Sequence, residues 1–251
     1  MAGTQVRRWE AASGVAPPLV TFAGFGQSGR VWEEWQSAHR TLYAWDAWGR
    51  TDAPAPPNAA HLRQVLSDFL RREGIGSFAL AGFSLGCRPA LLAAALFPER
   101  VVSLNLLAPE VLRPHPAFRV ATRFTPGRRA FERVMAHPTL VPYVVKRLPA
   151  AYRTLAARQV STAARRQRVV DTWRIYGRWQ PDPKQVAAGL SAHRTPVTVW
   201  TGREDAVARA GAARAWLRRV EGGQLIELPT GHGGLIRAAA AHLASARSEE
   251  A

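Results

Sequence analysis

The chain has 251 residues, 47% of them hydrophobic, which suffices for one domain with a substantial core and excludes a disordered chain. Its single cysteine, Cys87, excludes an intramolecular disulfide and a cysteine metal cluster. A net charge of +16 lies in the range of nucleic-acid binders, yet only Lys146 and Lys184 are lysines, an imbalance that GC-rich coding by itself produces.

The first fourteen residues, MAGTQVRRWEAASG, have no apolar h-region and are broken by Arg7, Arg8 and Glu10, so they do not read as a signal peptide. No stretch approaches the roughly 18 apolar residues of a membrane span. The expectation is a soluble cytoplasmic protein.

Short apolar runs follow in order: residues 19–23 (LVTFA), 42–45 (LYAW), 78–81 (FALA), 101–107 (VVSLNLL), 197–200 (VTVW) and 225–228 (LIEL). Each is rich in β-branched, aromatic or small apolar residues and bounded by Gly, Pro or Asp, the pattern of a buried strand. Helical periodicity lies between them. Residues 61–72 place Leu62, Val65, Leu66, Phe69 and Leu70 on one face, and residues 84–97 are almost wholly apolar. Two further helices are expected over 206–220 and 232–244. Strands alternating with helices predict an α/β fold, a mostly parallel sheet covered on both faces.

The alternation stops between about residues 109 and 196. Prolines at 114, 116, 126, 138, 142 and 149 punctuate arginine-rich helical stretches there, such as 150–178, and the only strand-like run is VPYVV at 141–145. The basic excess belongs to this region. From Arg113 to Arg178 stand fourteen arginines and Lys146 against Glu132 and Asp171, a net +13 that leaves only +3 for the rest of the chain. The organisation expected is one domain, with a core of residues 1–112 and 195–251 and an inserted helical cap at 113–194.

The strongest chemical signal is Gly82-Phe83-Ser84-Leu85-Gly86, a G-x-S-x-G sequence between a strand and an apolar helix. A nucleophilic serine on so sharp a turn needs neighbours without side chains, and the following helix points its N-terminus at the oxyanion formed on attack. A serine hydroxyl also needs a base. Of seven histidines, His232 alone follows the last strand-like run and opens a helix, whereas His39, His61, His115, His137, His193 and His242 read as surface residues. Asp205, after VTVW, is the candidate acid, and the order Ser84, Asp205, His232 fits a nucleophile–acid–base chain order. Glu204 and Glu110 are rivals for that place, and helix capping is the alternative role of Asp205. Two N–H donors for an oxyanion are expected from Leu85 and from the turn Gly24-Phe25-Gly26-Gln27, at Phe25. That turn does not complete G-x-G-x-x-G and has no Walker lysine, so a nucleotide site is not expected. Cys87 reads as packing rather than chemistry.

On these motifs the sequence resembles the α/β-hydrolase family, and within it the small capped esterase-like members. The likeness spans residues 19–110 and 195–242. AGFGQSGRVWEEW, YAWDAWGRTDAP, GFSLG, FPERVVSLNLLAP, GREDAV and GHGGLI carry it. Two departures stand out. The family's usual His-Gly at the oxyanion turn is Ala23-Gly24, so the hydrogen bonding of that turn must differ, and the loop Asp46–Asp52 (DAWGRTD) lacks the second glycine of the family's pattern. Serine rather than aspartate at position 84 argues against haloalkane dehalogenase or epoxide hydrolase chemistry. The resemblance implies acyl transfer to water, with no metal ion and no organic cofactor. The +13 segment suggests an anionic acyl substrate, such as a carboxylate, a carrier thioester or an acidic lipid surface. Thioester, amide or C–C cleavage by the same triad remains open. So does a retired hydrolase fold that grips nucleic acid, although no nucleic-acid motif supports it.

Overall fold

The computed structural model describes residues 5–48, 58–148 and 150–249. Its strands form one seven-stranded sheet in the order β1-β3-β2-β4-β5-β6-β7. They are β1 (Val6–Trp9), β2 (Leu19–Phe22), β3 (Leu42–Trp45), β4 (Phe78–Phe83), β5 (Val101–Leu107), β6 (Val197–Gly202) and β7 (Gln224–Leu228). All neighbours run parallel except β1 against β3. The six apolar runs appear where the sequence puts them, five as internal strands and LIEL as the edge strand β7. β1 escapes pattern reading because two of the four residues of VRRW are arginines, which its edge position, with no residue fully buried, tolerates.

Successive strand residues point to opposite faces and divide the core into two layers. Val20, Phe22, Leu80, Leu104 and Val199 face helices α1 (Ala59–Arg72), α2 (Cys87–Leu96), α8 (Pro183–Ala192) and α9 (Ala210–Leu217). Leu19, Ala79, Ala81, Leu107 and Trp200 face α10 (Leu235–Glu249) and a 3-10 segment, Gly29–Trp35. The central strands are buried on both sides, which is why they read as continuous apolar runs rather than alternating ones. α1 begins where Asn58 accepts a hydrogen bond from the His61 N–H, two residues before the predicted start.

Between β5 and β6 the chain is helical: α3 (Pro116–Arg123), α4 (Thr125–Ala136), α5 (Leu140–Lys146), α6 (Ala150–Gln159), α7 (Ala163–Tyr176) and α8. VPYVV is therefore part of a helix, not a strand. Its alternation breaks at Pro142, and only Val141 is fully buried, so one helical face satisfies the run. The stretch 150–178 is two helices, because Thr162 takes an extended backbone and caps α7 through the Arg165 N–H. Here Val141, Val160 and Val169 build a small core of their own, against which Phe25, Phe131 and Trp173 pack. No described helix is long and apolar enough to cross a membrane.

Candidate active site

Three loops at the C-terminal ends of parallel strands supply the site, the position where open α/β sheets present their chemistry. β4 ends at Phe83, and Ser84 follows with φ +52°, a left-handed conformation that L residues rarely adopt. A 3-10 turn over Ser84–Gly86 then leads into α2, so the predicted helix begins three residues later as an α-helix. The flanking glycines are required by contact. A Cβ on Gly82 would sit 2.6 Å from the Gly86 carbonyl oxygen, and one on Gly86 would sit 2.7 Å from that of Ala23. The serine turn thus lies directly on the end of β2.

His232 opens a 3-10 turn after β7, and Asp205 follows β6. Their loops are tied together through the backbone: Arg203 N–H donates to Leu228 O at 2.9 Å and Glu204 N–H to Thr230 O at 3.2 Å. His232 Nε2 stands 3.1 Å from Ser84 Oγ, and His232 Nδ1 stands 2.7 Å from Asp205 Oδ2. The three side chains form one unbroken hydrogen-bond relay. Phe83 borders the imidazole, its ring centroid 5.0 Å away.

Asp205 also does what a capping residue does. Its Oδ1 accepts from the N–H groups of Val207 at 2.8 Å and Ala208 at 3.0 Å. They belong to a turn, since α9 starts only at Ala210 and not at 206 as its sequence suggests. One oxygen thereby fixes the carboxylate while the other meets the imidazole. Burial works against the Asp205 carboxylate. The hydrogen bond and charge of His232, with the two backbone N–H groups, outweigh it and hold its pKa below the usual carboxylate value.

The two rival acids stand elsewhere. Glu204 is exposed. Glu110 holds Arg88, which is 2% exposed, in a two-pronged ion pair at 2.7 and 3.1 Å. The same guanidinium lies over the Phe118 ring at 4.5 Å and reaches Trp179 O at 3.5 Å. Arg88 is the one cation in an otherwise apolar helix, CRPALLAAAL, and that isolation is the sequence signal of a buried partner. Cys87 is fully buried with its thiol on the Gly82 carbonyl, and burial pushes its pKa up, away from thiolate chemistry.

The turn after β2 carries the other expected donor. Gln27 closes it, accepting from Gly24 N–H through Oε1 at 3.0 Å and donating its own N–H to Gly24 O at 3.1 Å. This glutamine supplies the different hydrogen bonding that Ala23-Gly24 demands, and its place three residues after Gly24 was the available signal. Phe25 N–H takes no part in that closure, and its side chain anchors the turn by packing against both the main core and the small helical core. Leu85 N–H opens a helical turn, where backbone donors have no intrahelical partner. Asp46, at the head of the next loop, accepts from Gly29 N–H at 2.6 Å and so steadies the segment after the turn. Gly49, Arg50, Thr51 and Asp52 lie outside the described residues. From the helical segment, Gln159 comes within 3.6 Å of where a Cβ on Gly26 would lie, and the Tyr152 hydroxyl donates to Val207 O at 3.4 Å. Neither was singled out in the sequence.

A family model described as alpha/beta hydrolase fold matches residues 17–167. No curated protein matches the sequence significantly. Among solved structures, a probable hydrolytic enzyme from Pseudomonas aeruginosa superposes with a TM-score of 0.69 at 18% identity, covering 97% of this chain and 88% of the other. A thermophilic esterase from Thermogutta terrifontis, with malate bound, gives 0.67 at 18% identity over 98% and 91%. An enol-lactonase from Burkholderia xenovorans gives 0.63 at 18% identity over 98% and 96%. At such identities the likeness is one of fold.

Proposed function

Because the chain belongs to the alpha/beta hydrolase fold family, we propose that it is a serine hydrolase that cleaves a carboxylic ester or a related acyl bond through an acyl-enzyme on Ser84. The observation that carries this reading is the relay from Ser84 Oγ through His232 to Asp205, at 3.1 and 2.7 Å. His232 Nε2 takes the hydroxyl proton as Oγ bonds to the substrate carbonyl carbon, and the carbonyl's π pair moves onto its oxygen. The N–H groups of Phe25 and Leu85 receive that oxyanion. His232 then gives the proton to the leaving alkoxide as the bond to it breaks. Water, deprotonated in turn by His232, releases the acid and restores Ser84. Asp205 keeps Nδ1 protonated and stabilises the imidazolium formed in both halves. The left-handed backbone at Ser84 supports the role, since strain of this kind is retained where it aims a reacting group. A thioester would follow the same path with a thiolate leaving.

The helical segment 113–194 acts as the cap over this site, and a preference for anionic acyl substrates is the finer part of the proposal. The segment residues found beside the site, Tyr152 and Gln159, are uncharged, whereas most of its arginines are exposed. The +13 field therefore acts by steering rather than by contact. The reading as a retired, polyanion-binding fold is less well supported, because such a role gives no reason for an assembled relay. The test is turnover of paired neutral and carboxylate-bearing esters of equal size by the native protein and by Ser84→Ala and His232→Ala. Native activity that falls by about 10⁴-fold or more in both variants is expected. The carboxylate ester should lose its kcat/KM advantage as salt rises above about 0.1 M, where the screening length is about 10 Å. Equal rates in the variants would overturn the assignment, and equal rates on the two esters would overturn the anionic preference.

A further inference from the structure

We propose that the outer face of α3–α5 docks on an anionic lipid surface. Of seven large hydrophobic side chains exposed among the described residues, five fall in this short stretch: Val120 (51% exposed), Phe124 (61%), Leu140 (42%), Tyr143 (60%) and Val144 (38%). A soluble domain gains nothing by concentrating apolar groups in water on one segment. Their spacing is ordered. Leu140, Tyr143 and Val144 stand at i, i+3 and i+4 on α5, on the side away from Val141, which is buried in the small helical core. Phe124 and Val120 mark the α3–α4 corner. Between these two apolar groups runs α4. It turns Phe131, Val134 and Met135 inward and leaves Arg129 and Arg133, one turn apart, exposed.

The charge of the same segment selects the occupant. From Arg119 to Arg147 there are seven cations against one carboxylate, Glu132, and that carboxylate is held at 2.8 Å by Arg174. The Arg147 guanidinium stacks over the Tyr143 ring at 3.5 Å, a pairing suited to the boundary between headgroups and acyl chains. A second copy of this chain would bring the same positive charge against itself. Nucleic acid would meet the arginines but leave Phe124, Leu140 and Tyr143 without an apolar partner. An acidic lipid interface satisfies both chemistries at once, by headgroup attraction and by shallow insertion. The inference does not depend on the hydrolase reading, but combined with it the docked face would bring the cap, and the site that Gln159 borders, to the membrane.

The experiment is sedimentation of the intact protein with vesicles of phosphatidylcholine alone and of phosphatidylcholine mixed equally with phosphatidylglycerol. Mixed vesicles should bind at least about tenfold more tightly than neutral ones, with binding that weakens as salt rises. Arg129→Glu/Arg133→Glu should lower binding more than tenfold, and Phe124→Ser/Tyr143→Ser should lower it several-fold at low salt. Both variants should keep the native circular dichroism spectrum and the native rate on a soluble neutral ester, on which the charge of the segment has no steering effect. Equal binding to both vesicle types, or none, would overturn the proposal. So would unchanged binding in Phe124→Ser/Tyr143→Ser, which would reduce the face to a general polyanion footprint. A concentration-dependent dimer abolished by the same substitutions would overturn it in favour of a second copy.

Discussion

Arg88 offers a sharp test of how the sheet holds the helical segment between β5 and β6, and of which carboxylate serves the histidine. Its guanidinium is 2% exposed, and Glu110 keeps 17% of its side-chain surface. Arg88→Met retains the aliphatic stem but leaves the Glu110 carboxylate without its counter-ion. Breaking one side of a buried pair costs about 3–5 kcal/mol, and the partial exposure of Glu110 points to the lower end, about 3 kcal/mol. In a domain of this size each kcal/mol lowers the melting temperature by about 2–4 °C, so a fall of roughly 6–12 °C is expected. Arg88→Met/Glu110→Gln should recover most of it, because no charge is left unpaired. Urea denaturation followed by tryptophan fluorescence measures both. A loss under about 1 kcal/mol in the single variant, or a double variant as unstable as the single, would refute the reasoning. Glu110→Gln, measured while folded, also addresses chemistry. It should keep ester hydrolysis near the native rate, whereas loss comparable to that of Asp205→Asn would make Glu110 the acid.

Asp205→Asn should fold and lose about 10²–10⁴-fold in kcat, read from steady-state ester hydrolysis, because the amide no longer fixes the imidazole tautomer. The same substitution tests the acid limb of stability. The folded-state pKa of Asp205 is depressed, so its contribution is fully present above the ordinary carboxylate value of about 3.9 and is lost as pH falls through the folded value. Native protein should therefore lose stability relative to Asp205→Asn as pH drops below about 4, and parallel denaturation curves there would contradict this. Gly86→Ala should destabilise by about 1–3 kcal/mol and also reduce activity, because the new methyl must push the serine turn off the carbonyl of Ala23. Denaturation and turnover of that variant would separate the two effects.

The sheet was legible because its central strands are buried on both faces and so appear as unbroken apolar runs, as in LVTF and FALAGF. VRRW was not, since two of its four residues are arginines, which its edge position tolerates. VPYVV shows the converse, a β-branched, strand-like run that takes the helical form of the segment around it, with only Val141 buried completely. The loops that carry Ser84, His232 and Asp205 could be located because each follows a strand, and strand ends are what periodicity locates best. Glu110 also follows a strand, so position alone could not separate it from Asp205. What separates them is Arg88, a long-range partner that sequence spacing does not reveal. Gln27, Gln159 and Tyr152 were invisible for the same reason, since their contacts depend on how the turn after β2 and the inserted helices meet.

The central claim is an activated serine at position 84. Intact mass measurement after exposure to a fluorophosphonate probe tests it most directly, comparing native protein, Ser84→Ala and His232→Ala. One stoichiometric adduct on the native protein, absent from Ser84→Ala and slowed severely in His232→Ala, is the predicted result. A well-folded native protein that takes up no probe, or an adduct that persists in Ser84→Ala, would contradict it.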